Sequence, residues 1–337
     1  MIGFAGKRIL FIGIGFYDYE QCIVERLRSR GAEVDSFQAL APALRPGVVA
    51  TSLRLAGIEG RALIRRHERD ILRRAGEAIY DQVLIVKSTE LRPEFVEALR
   101  RRQHRAEFIL YQWDSLARMP GVEKRIPFFD RILTFDRQDA MTHADFAFRP
   151  LFYRHASVPQ SAGASASMAH LCFVGWLNSD RLSTLRRLQA IAESQGMSFQ
   201  VYLYTGLRTF LRLILRRNAR DVHVRTLAYS ELLECYRRAA VVVDLPHAQQ
   251  TGLTMRAIET VGMGRKLLTT AKDVVNYDFY ASGNVRVIHA EALELDGSFI
   301  REPAKPYAEH VRRRYSLDAW IDDVFAPSQA ATSSQTA

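Results

Sequence analysis

Residues 241–270, VVVDLPHAQQTGLTMRAIETVGMGRKLLTT, pass from a short valine-rich run through a polar loop into a helix-period segment and back to an apolar run. A chain that repeats this order has few folds open to it. Short continuous apolar runs are strands buried on both faces, and such strands belong to parallel sheets covered by helices. The run 239–245 is closed by Pro246, which cannot continue a sheet ladder. Leu253, Ala257, Ile258 and Val261 then share one helical face, so a helix is expected to start near Gly252 and to run to Gly262. The free N–H groups and positive dipole end at that start favour an anion, and Gly252 removes the Cβ that would hold a phosphate away. On this helix the Glu259 carboxylate is placed to accept hydrogen bonds from a ribose, and Arg256, one turn earlier, to neutralise a diphosphate. Their spacing equally suits a pair between the two residues themselves.

The same alternation runs through both halves of the chain. Before residue 150 the strand-like segments KRILFIGI, AEVDSF, DQVLIVK, AEFILYQW and DRILTF are separated by helix-like ones; after residue 170 HLCFVGW, SFQVYLY, DVHVRT, AVVVDL, RKLLTT and VRVIH follow the same rule. The expected fold class is α/β, with two tandem Rossmann-like, doubly wound domains. The expected organisation is a first domain over 1–154, an Ala/Ser-rich linker or mobile loop over 155–169, a second domain over 170–302, terminal helices over 303–325 that cross back to the first domain, and a disordered tail over 326–337. In such sheets ligands sit beyond the carboxyl ends of strands. The residues expected to line the site are then 13–19, 87–88, 113–115 and 136 in the first domain, and 175–181, 204–206, 245–252 and 269–270 in the second.

A hydrophobic content of 48% is that of a globular chain. The three cysteines Cys22, Cys172 and Cys235 are far apart in sequence with no CxxC spacing, so neither a disulfide framework nor a zinc site is expected, and a cytoplasmic setting is. The net charge of +10 attracts phosphorylated ligands, anionic lipid or nucleic acid. No recognition helix or RNA-binding signature is present, and nucleic acid is not an expected partner. The segment 207–220 places Leu207, Phe210, Leu211, Ile214 and Leu215 on one stripe flanked by Arg208, Arg212, Arg216 and Arg217. Such a helix fits the surface of an anionic inner membrane; it also fits an ordinary domain helix packed on its sheet.

The loop GIGFYDYE begins like a dinucleotide fingerprint, and Asp35 stands where a ribose-binding acid is expected. The third glycine is missing, however, and Asp18 and Glu20 put carboxylates where a pyrophosphate needs positive potential. This argues against an NAD or S-adenosylmethionine enzyme. There is no GxxxxGK[ST] loop and no Asp-x-Asp pair, so the charge of a diphosphate has to be met by helix N-termini and arginine, without a metal or a separate cofactor.

YQWDSLARMP, FDRILTFDRQDA, FRPLFY, LCFVGWLNSDR and QQTGLTMRAIETVGMGRKLLTT with NYDFY together resemble a bacterial family of lipopolysaccharide and capsular polysaccharide biosynthesis proteins. Through it they are similar to CgeB-like and group 1 glycosyltransferases of the GT-B architecture. The resemblance implies a nucleotide-diphosphate sugar as donor, a saccharide or lipid-linked molecule as acceptor, and a place in cell-envelope polysaccharide assembly. It implies that Glu259 matches the second of a pair of glutamates, the one that grips the ribose; Thr251 stands where the first would be. Arg181 matches a basic residue that binds the diphosphate, although a salt bridge with Asp180 is its plain alternative. The expected donor site is Gly175, Arg181, Thr251, Gly252, Thr254, Arg256 and Glu259. The expected base for the acceptor hydroxyl is Asp114, with Asp18 second; either residue also suits a helix cap.

Overall fold

In the computed structural model, residues 1–15, 18–44, 60–154, 169–178, 180–247 and 249–327 are described. Residues 155–168 of the expected linker over 155–169, most of the expected tail, and Phe16 and Tyr17 of the first loop lie outside them. The chain divides into two compact units, one of Met1–Pro150 with Leu317–Ala337 and one of Leu151–Ser316.

In the first unit β1 (Arg8–Gly13), β2 (Glu33–Gln38), β3 (Gln82–Val86), β4 (Glu107–Gln112), β5 (Arg131–Thr134) and β6 (Phe146–Phe148) form one six-stranded sheet in the order β2-β1-β3-β4-β5-β6, every described pair parallel. Among the described residues before residue 150, four helices accompany it: α1 (Tyr19–Ser29), α2 (Gly60–Ala75), α3 (Pro93–Arg102) and α4 (Arg137–Thr142). Their ends follow the rules of helix termini. Pro93 opens α3, Arg100, Arg101 and Arg102 meet the negative end of its dipole, and Asp136 caps α4 by accepting from the amides of Gln138 and Asp139. The order reverses between β1 and β3, so the crevice of this sheet opens over the ends of those two strands.

The second unit has β7 (Ala169–Trp176), β8 (Phe199–Tyr204), β9 (Val222–His223), β10 (Ala239–Asp244), β11 (Lys266–Thr269) and β12 (Val285–Val287) in the order β12-β11-β10-β7-β8-β9, again parallel. Its helices are α5 (Arg181–Ser194), α6 (Leu207–Leu215), α7 (Tyr229–Arg237), α8 (Met255–Gly262), α9 (Gly297–Arg301) and α10 (Glu309–Arg314). The two-residue period of a strand is visible in the core. Leu171, Phe173, Val241 and Val243 enter one apolar cluster, while Cys172, Val174 and Val242, their neighbours in sequence, enter the cluster on the opposite face. Cys235 packs against the second of these clusters, so two thiols distant in sequence share one region of the fold, and both are free.

Three details are added by the structure. The segment DVHVRT supplies only the two residues of β9. The region 303–325 is broken at the buried Tyr315, and its last helix, α11 (Leu317–Val324), belongs to the first unit. The third is β6, three residues long and too short for its pattern to be read beforehand.

Candidate functional site

The order of the second sheet reverses between β7 and β10, so the loops that leave these two strands flank its crevice. They are the loops 175–181 and 245–252 that carry most of the expected donor residues. Helix α8 follows the second loop, but it begins at Met255 rather than near Gly252. Thr254 is its N-cap: the hydroxyl accepts from the amide of Ala257 at 3.2 Å and donates to Asp244 Oδ1 at 2.8 Å. With its proton and one lone pair committed, Thr254 sets the start of the helix instead of binding an anion. The amides of Met255 and Arg256, first in the helix, donate to no acceptor among the described residues. Thr251 is exposed in the loop ahead of them and Gly252 is buried.

Arg256 departs from both of its expected roles. Its guanidinium turns into the unit, where Nη1 meets Asp244 Oδ1 at 2.6 Å, Nε and Nη2 donate to the carbonyl of Val174 at 3.1 and 2.7 Å, and the plane stacks on Phe173 at 4.4 Å. Burial works against its charge, but Tyr236 and Asp244 outweigh burial and hold its pKa above the ordinary arginine value. Asp244 is fully buried and also accepts from Thr269 Oγ1 at 3.2 Å. The partner of Arg256 is thus Asp244, not Glu259, and the ion pair ties β7, β10 and α8 together beneath the crevice. Gly175 belongs to the same device, since a Cβ there would stand 2.5 Å from Arg256 Nη2 and 3.1 Å from Phe173. Its lack of a side chain makes room for the arginine rather than for a ligand.

Arg181 donates to the carbonyl oxygens of Trp176 and Leu245, bridging the ends of the two loops, and lies 5.6 Å from the Phe173 ring. The expected alternative, a bridge to Asp180, is not the arrangement seen. Glu259 is 1% exposed and its Oε1 accepts from the Tyr229 hydroxyl at 2.8 Å and the Arg154 amide at 3.3 Å. Trp176, at the end of β7, falls within the expected lining 175–181 without a role of its own. It is 48% exposed and meets Tyr204 edge-on with ring centres 5.5 Å apart.

In the first unit the loop after β1 carries its own anion. Glu20 reaches back from α1 to accept from the amides of Ile14 at 2.6 Å and Gly15 at 2.9 Å, and from Gln38 Nε2 at 3.3 Å. The cradle that would hold a pyrophosphate in a dinucleotide enzyme is filled by a carboxylate of the chain itself. Asp35, the expected ribose acid, is likewise engaged, by Arg8 at 3.0 Å and by the Tyr80 hydroxyl at 2.7 Å. Asp114 lies between two cations: Lys87 Nζ at 2.6 Å on Oδ2 and Arg118 Nη1 at 2.8 Å on Oδ1. Lys87 has a positive φ of 55°, a strained conformation for a residue with a Cβ, directly after β3 at the switch point. Asp18, with φ 59°, precedes α1, makes no side-chain cap bond and is exposed.

No protein-family model and no curated protein matches the sequence. Solved structures do resemble the fold. A UDP-forming α,α-trehalose-phosphate synthase from Burkholderia xenovorans is 11% identical, with 94% of this chain and 98% of that one covered and a TM-score of 0.61. A glycosyltransferase of avilamycin A biosynthesis is 15% identical over 94% and 97% of the two chains, with a TM-score of 0.57. A UDP-GlcNAc 2-epimerase from Methanocaldococcus jannaschii is 8% identical over 94% and 99%, with a TM-score of 0.51. Likeness at such low identity is likeness of architecture: the chain has the α/β build of the GT-B proteins, with two Rossmann-like domains.

Proposed function

We propose that the protein is a metal-independent glycosyltransferase that moves a sugar from a nucleotide-diphosphate donor, UDP-linked, to a saccharide or lipid-linked acceptor in cell-envelope polysaccharide biosynthesis. The observation that carries the reading is the switch point of the second sheet, where the first amides of α8 donate to no acceptor among the described residues, Thr251 ahead of them is exposed, and an exposed indole ends the neighbouring strand β7. The fold neighbours named for UDP or a UDP-sugar support the choice of nucleotide.

The departing diphosphate would be met by the amides of Met255 and Arg256, the dipole of α8, the Thr251 hydroxyl, the backbone at Gly252, and Arg181 at the start of α5. Fixed donors of this kind stabilise developing charge without reorganising during the reaction. Arg256 and Thr254 act one step back, as positioning residues that hold the helix end through Asp244. Trp176 offers its face to the base. Glu259 would reach the ribose once Tyr229 and the Arg154 amide give up its Oε1. For the acceptor proton Asp18 is the better base, because its carboxylate is exposed whereas both oxygens of Asp114 are held by cations.

Calorimetric titration with UDP, GDP and CMP tests the donor site. Binding of UDP is expected, weakened about tenfold or more by Glu259→Gln and by Trp176→Ala, with the folded state unchanged. UDP affinity untouched by either change would remove these assignments. Asp18→Asn should retain UDP binding and lose turnover. A second reading, a protein that binds or isomerises a nucleotide sugar without transferring it, is favoured by Thr251 in place of the first glutamate and by the pairing of Asp114. Mass spectrometry of the sugar product separates the two, since isomerised or unchanged donor in the presence of acceptors defeats the transferase.

A further inference from the structure

Helix α6 (Leu207–Leu215) is only partly covered by its own unit. Phe210 and Leu213 pack on the core, but Leu207, Leu211, Ile214 and Leu215 remain 59%, 50%, 47% and 85% exposed. At about 100° per residue these four occupy one continuous arc of roughly 100°, next to the arc that meets the core. Arg208, Arg212 and Arg216 fill the following arc, so the exposed leucines lie between the protein on one side and a band of arginine on the other. No acidic residue occurs between Gly206 and Arg220, and Arg208, Arg212, Arg216 and Arg217 form no ion pair among the described residues. The first carboxylate after the helix, Asp221, is held by Arg186 at 2.7 Å and lies 3.7 Å from Arg220.

We infer that α6 is an interfacial helix that lays the protein on an anionic lipid surface, with Leu207, Leu211, Ile214 and Leu215 entering the boundary between headgroups and acyl chains and the arginine band meeting lipid phosphates. Exposed leucines bordered by uncompensated cations are complementary to such a surface and to little else. Water alone does not favour the leucines. A second copy of the chain, paired about a two-fold axis, would add a second arginine band to the same interface with no carboxylate in the segment to offset either. The helix is also too short to cross a bilayer, and no described helix is long and apolar enough to do so, which leaves a position in the surface plane. This inference does not depend on the donor site, and its test reads membrane partition alone.

The full chain is floated with vesicles of phosphatidylglycerol and phosphatidylcholine, and with phosphatidylcholine alone. Binding is expected only to the anionic vesicles and is expected to fall at high salt. Arg208→Gln combined with Arg212→Gln should lower partition about 25-fold, at roughly fivefold per arginine. Leu211→Ser with Leu215→Ser should lower it at least about tenfold; both positions are exposed, so circular dichroism should stay unchanged. The indole introduced by Leu215→Trp should be quenched by brominated acyl chains. Failure of the parent chain to float with anionic vesicles at low salt overturns the proposal, as does flotation that none of these substitutions alters. A concentration-dependent dimer that forms without lipid and is abolished by Leu215→Ser assigns the face to a second copy instead.

Discussion

Arginine 256 illustrates how little of a site a residue type can settle. Spacing offered it a diphosphate or Glu259, and neither alternative allowed for Asp244, which ends β10 twelve positions earlier and is fully buried beneath the helix start. The consequence is energetic. Removing one partner of a buried ion pair leaves an uncompensated charge, at a cost of about 3–5 kcal/mol, so Arg256→Ala is expected to destabilise the second unit by that amount in a urea titration, with or without nucleotide. Asp244→Ala in the same chain should recover part of the loss, because the stranded carboxylate is then gone. Additive losses would show that the two do not act as a pair. Gly13 poses the same kind of problem in the first unit. A Cβ at that position would lie 2.1 Å from Glu20 Oε2, so Gly13→Ala must push the carboxylate off the amides of Ile14 and Gly15. A loss of about 1–3 kcal/mol is expected, and it should be much smaller in a chain already carrying Glu20→Ala.

At the scale of elements, the alternation of apolar runs and helix-period segments was enough to identify most of both sheets, because a strand covered on both faces leaves an unbroken hydrophobic run. The loops after β7 and β10 were legible for the same reason: once the strands are found, a doubly wound sheet places its site at their ends. What pattern could not supply was the direction of side chains. Pattern gives Thr254 and Arg256 to the ligand although Asp244 claims both, places Gly175 in the donor site although it makes room for Arg256, and has Glu20 repel a pyrophosphate whose place it takes. Helix α6 shows the limit from the other direction, since one apolar stripe is shared between the core and the outside. It ends with the amide of Asn218 bonded to the carbonyl of Leu213 and that of Arg217 to Ile214, which places Arg217 in the left-handed position usually taken by glycine, at φ 52°. Arginine there costs about 1 kcal/mol relative to glycine. Arg217→Gly should therefore raise the stability of the second unit by about that amount in urea while weakening attachment to anionic vesicles; a neutral or destabilising effect would mean that the helix end is held by contacts other than its turn.

For the molecule as a whole, the decisive feature is that the first unit is made from both ends of the chain. Helix α11 contributes Trp320, fully buried and edge-on to Tyr111 with ring centres 4.8 Å apart, and Phe325 just beyond it meets Phe4 at 5.4 Å. The same segment neutralises buried cations of the first unit: Arg30, whose side chain is 8% exposed, bonds Asp318 and meets Asp322 at 2.7 Å, and Arg149, at 4%, meets Asp323 at 2.8 Å. Deleting residues 317–337 removes the burial of Leu317, Trp320, Ile321, Val324 and Phe325, worth about 1.5–3 kcal/mol each, and strands two guanidinium groups in the interior. That sum is as large as the whole stability of an ordinary domain, about 5–15 kcal/mol. The truncated chain is expected to lose amide protection in β1, β3 and β4 while β7, β10 and β11 stay protected, a division that hydrogen exchange read by mass spectrometry resolves strand by strand. Supplying residues 315–327 as a separate peptide should restore protection to the first unit, because the missing element is one whole helix whose contacts are with that unit. Protection of β1, β3 and β4 that survives the deletion would mean that the first half of the chain builds its core unaided, and the closing helix would then be an accessory to a domain already complete.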